Sequence, residues 1–361
     1  MIGITKMAIR KPRKKAALTK HPAATVRKKA SSRSAKPIGL DLGTSTVVAA
    51  RPNGRGVSAS SELNAFIELP KSRFTEQILD QNGIDFVREN GHLVVYGNGA
   101  FKFANMFNAE TRRPMRHGLV NAGEPYAQRL LEVIVEKLIG KPKTKGGLLC
   151  FSVPGPPQSA PSSLVYHEAL MKQMLENMGF EAKSINEGLA VVFAELEDQN
   201  FSGIGISFGG GLTNVCLAYL SVPVFTFAVD KGGDDVDEAV GEVTGETATR
   251  IKAIKEEGLD LRTKSRKKVI GALQIYYADL ITNVVDGITD ALSSADRMPR
   301  LDKPLPVVLG GGSALPKGFV ERFAKALEAK KLPIELGDVT IAREPLTATA
   351  RGALIAAQYE N

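Results

Sequence analysis

Cysteine is nearly missing from this 361-residue chain: there are two, Cys150 and Cys216, each inside an apolar, strand-like run. Two such residues make no disulfide framework and suit a reducing cytosol, so a cytoplasmic protein is expected. Neither has a His or Cys neighbour at metal-ligand spacing, which argues against a zinc site. Long apolar runs are lacking too. The longest, VCLAYLSVPVFTFAV from Val215, is interrupted by Ser221 and Pro223 and reads as two strands. No apolar stretch follows the basic N-terminus, so neither a secretory signal nor a transmembrane segment is expected. Two nucleotide signatures are also absent. Without G-x-x-x-x-G-K-[ST] there is no P-loop, and without G-x-G-x-x-G between a strand and a helix there is no dinucleotide fold.

Acid is missing from one end. Residues 1–36 hold twelve Lys or Arg and no Asp or Glu, which leaves 35 basic against 39 acidic residues in the remainder. The formal charge of +8 therefore describes a cationic arm on a mildly acidic body. Rich in Ala, Ser, Pro and Lys, the arm is expected to be a disordered basic tail. It suits nucleic acid or an anionic membrane surface, or serves only as a solubilising tail.

The body is α/β in pattern, and its length allows two domains. IGLDLGTSTVVAAR reads as strand, turn, strand. Residues 52–110 look polar and irregular, with one strand pair around GHLVVYGNG. A helix (YAQRLLEVIVEKLIG), a buried strand (GLLCFSVPG) and a helix over about 162–178 follow. A second strand–turn–strand spans 203–219, and helices dominate 234–295 with a break at Gly258. The strand LPVVLGGG and helices over 317–331 and 346–359 end the chain. Two halves that each open on a Gly-rich hairpin suggest a duplicated fold around a cleft, although they share little literal sequence.

Three glycine clusters each follow an apolar strand: DLGTST (41–46), SFGGGLTN (207–214) and LGGGS (309–313). One such cluster is ordinarily just a turn; three in this order form a pattern. Successive glycines let a backbone approach a phosphate closely.

Here the chain resembles the actin-like ATPase superfamily. IGLDLGTSTVVAA is similar to its first phosphate motif, GISFGGGLTNVCLA to its second and VVLGGGSALPKGF to its adenosine motif. INEGLAVVFAEL and ATARGALIAA resemble the two connecting helices. Within the superfamily the likeness is nearest to bacterial actins of the MreB and magnetosome-filament type. It is carried by RRPMRHGLV (with His117 where that pattern has Asp), KGGDDVDEAV, GETATRIK and AREPLTATARGA, and it spans about residues 37–360.

The resemblance implies an actin-like duplicated α/β fold in which two domains flank a nucleotide cleft. Domain I would run over 37–185 with a small insert at about 52–110. Domain II would run over 186–343 with a helical insert at about 234–300, and the C-terminal helix, 344–361, would return to domain I. The implied ligands are ATP and Mg²⁺. Gly43, Thr44, Ser45, Ser207, Gly209, Gly210, Gly211, Thr213, Gly233, Glu246, Lys252, Gly310, Gly311 and Gly312 would hold the nucleotide. Asp41 would hold the metal through water, with Glu187 as a second acid beside it.

The pattern has Asp where this chain has Ser207, Thr where it has Leu212, and an acid or His where it has Asn214. The phosphate cradle is thus retained while the metal side is thinned. The water-orienting Glu or Gln expected after a Val-Pro pair is displaced: counting from Pro154 reaches Pro161, which cannot act. Counting back from Gly179 reaches His167, and Gln158 lies in the inserted GPPQSAPSS loop. These implications give an ATP-binding cytoskeletal homo-polymer with slow Mg²⁺-dependent hydrolysis. The alternative is a nucleotide-binding scaffold or DNA-segregation actin with little or no ATPase activity. A sugar kinase and a chaperone fit less well, the first for want of a sugar-binding segment, the second because the last motif ends at residue 361.

Overall fold

The structure is a computed structural model that describes residues 36–107, 110–142, 146–156, 161–263, 265–295, 299 and 303–359. The basic tail, apart from Lys36, and Gln158 lie outside the described residues.

The chain opens with an antiparallel meander of β1 (Ile38–Leu42), β2 (Thr46–Asn53) and β3 (Gly56–Leu63). β4 (Phe66–Pro70), α1 (Arg73–Gln81), β5 (Phe86–Glu89), β6 (His92–Tyr96), α2 (Asn98–Phe107), β7 (Met115–Arg116), β8 (Leu119–Val120) and α3 (Ala127–Ile139) follow. The first half closes with β9 (Gly147–Val153), α4 (Pro161–Asn177) and β10 (Phe180–Asn186). α5 (Glu187–Glu195) leads to a second meander of β11 (Gly203–Phe208), β12 (Thr213–Tyr219) and β13 (Val222–Val229). α6 (Gly233–Thr244), α7 (Ala248–Glu256), α8 (Lys268–Ser294), β14 (Leu305–Gly310), α9 (Phe319–Glu328), β15 (Leu336–Ile341) and α10 (Ala348–Tyr359) complete the chain.

The two main sheets have one topology. The first runs β10-β9-β1-β2-β3, and the second, taken in the same sense, runs β15-β14-β11-β12-β13. In each, a meander is extended by two parallel strands: β9 and β10 beyond β1, β14 and β15 beyond β11. Strands at the edges of both main sheets escaped the sequence reading. β10 and β15 are both edge strands, rich in Glu, Lys, Gly and Asp, residues that carry little strand signal. Residues 52–110, expected to be irregular, instead hold the end of β2, all of β3 and a small three-stranded sheet, β4-β6-β5, with two helices. Exposed serines along β3 had hidden its pairing with β2.

Alternation along each opening strand decides what faces where, because successive side chains point to opposite sides. Ile38, Leu40 and Leu42 enter a core with α3 and α4, including Leu131, Ile134 and Met171. Ile204, Ile206 and Phe208 enter a core with α8 and α9, where Phe208 meets Phe319 edge-on at 4.9 Å. The opposite faces carry Gly39 and Asp41 on β1, and Gly205 and Ser207 on β11. These faces rest on α10 and α5 respectively.

No side chain fits at those contacts. A Cβ on Gly39 would lie 2.1 Å from the Ala350 carbonyl oxygen of α10, and one on Gly205 would lie 2.3 Å from the Gly188 oxygen of α5. Where the two helices meet, a Cβ on Gly352 would lie 1.7 Å from the Ala190 oxygen. Ile38-Gly39-x-x-x-Gly43 and Ile204-Gly205-x-x-x-Gly209 are therefore the same structural phrase, and the halves do share literal sequence where their strands meet these helices.

Candidate functional site: a cleft between two glycine hairpins

The turns after β1 and β11 face one another. In the first, Asn64 fixes the loop: its side-chain amide donates to the Gly43 carbonyl and its backbone N–H to the Ser45 carbonyl, both at 3.0 Å. In the second, Gly209 N–H donates to the Leu212 carbonyl at 3.0 Å. The loops approach until a Cβ on Gly210 would lie 2.7 Å from Ser45 Oγ, and one on Gly211 2.4 Å from Thr44 Oγ1. The glycines are required by this approach, and their backbone N–H groups are what an anion would meet.

The next elements converge on the same place. The first N–H groups of α6 tie it to the second hairpin: Gly233 donates to the Gly209 carbonyl at 3.0 Å and Asp234 to the Gly210 carbonyl at 2.8 Å. Ser313 Oγ donates to the Gly209 carbonyl at 3.0 Å, which joins the third glycine cluster to the second. Gly311, with φ of 87°, lies so close to β11 that a Cβ would sit 2.3 Å from the Phe208 oxygen. Lys252, buried on α7, donates to Ser45 Oγ at 3.2 Å.

The acids gather at the floor. Asp41 and Ser207 project from equivalent strand positions toward the start of α5, where Asn186 caps the helix and Glu187 occupies its first turn. Ser152 Oγ donates to Asp41 Oδ1 at 2.7 Å and accepts from Leu42 N–H at 3.1 Å. Ser207 Oγ donates to Glu187 Oε2 at 3.0 Å. Burial raises Asp41 to about 6 against the help of Ser152. Burial and then the Asp41 charge raise Glu187 to about 8, which Ser207 and Asn214 oppose. Two carboxyls that resist ionising together give a multivalent cation a place to act. Asn214 is pinned by Gly155 N–H, which donates to its Oδ1 at 2.8 Å, and this leaves its buried Nδ2 on the side of Glu187, whose ionised form it favours. A neutral donor thus stands where an acid or His was expected.

Some expected residues have their side chains engaged in other contacts. Thr213 is fully buried and its hydroxyl donates to the Lys231 carbonyl at 2.9 Å. Thr44 Oγ1 accepts from Gly118 N–H at 2.9 Å, so its hydroxyl braces the 117–118 turn. Glu246 sits in the exposed turn joining α6 to α7, one residue ahead of the Thr247 cap. Gly310 packs on Val191 and Gly312 on Leu346. His167 is buried on α4, where its Nδ1 accepts from Val120 N–H at 3.3 Å. Burial lowers it to about 4, so the ring is neutral and carries its hydrogen on Nε2, which has no partner. Among the described residues, no three His, Cys, Asp or Glu are grouped as a metal site, and no helix is long and apolar enough to cross a membrane.

Sequence reasoning missed five contributors: Asn64, Ser152, Ser313, Arg113 and Asp234. Arg113 Nη2 donates to Asp234 Oδ1 at 3.1 Å, and Ser45 Oγ donates to the same oxygen at 3.0 Å. A cavity of ≈ 280 Å³ opens from Thr44 and Gly211 outward, between the 110–124 segment and α6–α7.

Two duplicated sheets, two connecting helices and facing glycine hairpins define the actin-like ATPase fold, and solved structures agree. A MamK double helical filament matches at TM-score 0.64 with 20% identity over 90% of this chain and 98% of that one. MreB5 of Spiroplasma citri bound to AMPPNP matches at 0.64 with 14% identity over 90% and 97%. The ethanolamine utilization protein EutJ of Carboxydothermus hydrogenoformans matches at 0.51 with 19% identity over 89% and 90%. Within that class the chain belongs to the Volactin family, whose model matches residues 37–357. No match was found among curated proteins.

Proposed function

We propose that this protein is a cytoplasmic, actin-like filament former that binds ATP with Mg²⁺ in the cleft and hydrolyses it slowly. The observation that carries this reading is the facing pair of glycine loops with Lys252 and Arg113 at their rim. Backbone N–H groups, a Ser hydroxyl and two cations make a donor set that fits a polyphosphate. On the floor, Asp41 and Glu187 would hold Mg²⁺, Asp41 through water; bound there, the ion neutralises phosphate charge. Structures of similar proteins hold AMPPNP or ADP, or form a double helical filament, which supports the same assignments. Domains at 37–185 and 186–343, with the last helix returning to the first, belong to this reading. Electron microscopy of the purified protein with ATP, with ADP and without nucleotide tests it. Nucleotide-dependent filaments are expected, and their absence under all three conditions would refute polymerisation.

The second reading, a scaffold with little or no hydrolysis, is favoured by Ser207, which gives the metal one acid fewer than the pattern of its relatives. Ser207→Asp is expected to raise Mg²⁺-dependent phosphate release several-fold, with Asp41→Ala as the inactive control. A variant that binds ATP yet releases phosphate no faster would show that Ser207 is not the limiting departure.

We assign the basic tail, residues 1–36, to an anionic partner, nucleic acid or membrane lipid. Large apolar anchors are scarce in it, which favours nucleic acid. A chain beginning at Ser34 is expected to lose most DNA binding in a salt series while its unfolding midpoint stays unchanged. Equal DNA and liposome binding by both chains would reduce the tail to a solubiliser.

A further inference from the structure

Asp234 is held in a manner that its place in α6 does not require. It stands in the first turn of that helix, yet its side chain reaches across to the other half of the molecule. Its Oδ1 accepts from Ser45 Oγ at 3.0 Å and from Arg113 Nη2 at 3.1 Å. Arg113 also donates through Nη1 to the Ser45 carbonyl at 3.3 Å, and Lys252 donates to the Ser45 hydroxyl at 3.2 Å. Two separate segments, the first hairpin and the 110–114 stretch, thus turn donors onto one carboxylate, and Lys252 of α7 stands behind them on the Ser45 hydroxyl. The loops are shut on it: a Cβ on Gly210 would lie 2.9 Å from Asp234 Oδ2 as well as against Ser45. Burial alone would favour the neutral acid, but the charges of Arg113, Lys252 and Lys255 outweigh it and hold Asp234 below its ordinary value. A hydroxyl and a guanidinium on a small anion, with an ammonium beside them, are what a phosphoryl oxygen also requires.

We propose that Asp234 is an internal stand-in for phosphate: its carboxylate fills the anion seat made by Ser45, Arg113 and Lys252 and keeps the cleft closed, and an incoming phosphoryl group must displace it. This rests on the reading that nucleotide binds the cleft, and it adds a competitor already built into the chain. Closure without ligand and closure around ligand then use the same donors and differ in which anion they hold. The shared chemistry is a phosphoryl group, whether the end of a nucleotide or free inorganic phosphate.

The test uses the full chain as wild type, Asp234→Asn and Arg113→Ala. Two readouts are taken: ligand-free hydrogen exchange at residues 44–46 and 110–113, and calorimetric titration with ATP, ADP and inorganic phosphate. Asn keeps the shape and can still accept from Ser45, so the fold is retained while the charge is lost. Asp234→Asn is expected to exchange about tenfold faster at both segments and to bind ATP about tenfold more tightly. Arg113→Ala should also exchange faster but bind more weakly, because it removes a donor that both anions need. That opposition of sign separates a contested seat from an ordinary structural contact, whose loss would weaken binding in both variants. If ATP binds wild type and Asp234→Asn equally, or exchange does not change, the seat is refuted and the nucleotide reading stands. If neither binds ATP but Asp234→Asn binds inorganic phosphate more tightly than wild type, the seat stands and the nucleotide reading falls. If no ligand binds either chain, both fall.

Discussion

Glu187→Gln is expected to unfold at a clearly higher temperature than wild type at pH 9, and at nearly the same temperature at pH 4.5. Glu187 is a buried carboxyl raised from 4.5 to about 8, first by burial and then by the neighbouring Asp41 charge. A raised folded pKa means that the folded state holds a proton that the unfolded state has released. The stabilisation is therefore complete below pH 4.5 and is lost as pH climbs through the window from 4.5 to 8. At about 1.4 kcal/mol per pH unit, and sharing part of the shift with Asp41, the loss is on the order of 3 kcal/mol. Asp41, raised to about 6, adds a smaller fall of the same sign between 3.8 and 6. A glutamine cannot ionise, and its amide oxygen accepts the Ser207 hydroxyl. Thermal denaturation of both proteins from pH 4.5 to 9, without nucleotide or divalent cation, measures the difference in slope. Parallel curves would mean that Glu187 titrates in its ordinary range and that the floor is not a strained acid pair.

Gly352→Ala is expected to destabilise the protein by about 3 kcal/mol or more, at or beyond the upper end of what overpacking usually costs, because backbone already fills the space. The added methyl would lie 1.7 Å from the Ala190 oxygen, 2.4 Å from its carbonyl carbon and 2.8 Å from its Cα. These atoms belong to the rail of α5 and have no rotamer in which to retreat. Gly271→Ala is the matched control: Gly271 lies within α8, a methyl added there would meet nothing within 4 Å, and alanine is the better helix former. That variant should gain up to about 1 kcal/mol. Urea denaturation of the two, with unchanged m-values, checks the pair. A Gly352→Ala protein as stable as wild type would show that the helices separate easily.

Much of the fold was legible because strands and helices announce themselves over short distances. β1 and β11 are apolar on alternate positions and end in glycine, and the long helices carry their own periodicity. The repeat between halves was legible in outline, but the shared Ile-Gly-x-x-x-Gly was not, because only sheet position shows which positions to compare. The partners in the site were not legible. Arg113 and Asp234 are 121 residues apart and Ser45 and Asp234 are 189 apart; nothing local marks any of them as a pair. Ser152 on a buried strand and Asn64 after β3 are ordinary polar residues until the fold brings them to Asp41 and to the first hairpin. The direction of a hydroxyl was equally hidden. Thr44 and Thr213 look like phosphate ligands in the sequence, and the fold turns both toward backbone.

The contact between α5 and α10 has a mechanical meaning. Most helix pairs are separated by side chains that slide and change rotamer, so they yield a little in every direction. Here backbone rests on backbone at Gly352, and each helix is seated in the same way on its own sheet through Gly39 or Gly205. Such a bearing has almost no play in translation, so relative motion of the two helices about it is rotation, which Arg351 of α10, donating to Glu195 of α5 at 3.1 Å, would have to follow. Opening would then be a swing about one axis, and Ser45, Arg113, Asp234 and Lys252 would part together, as the teeth of one clasp.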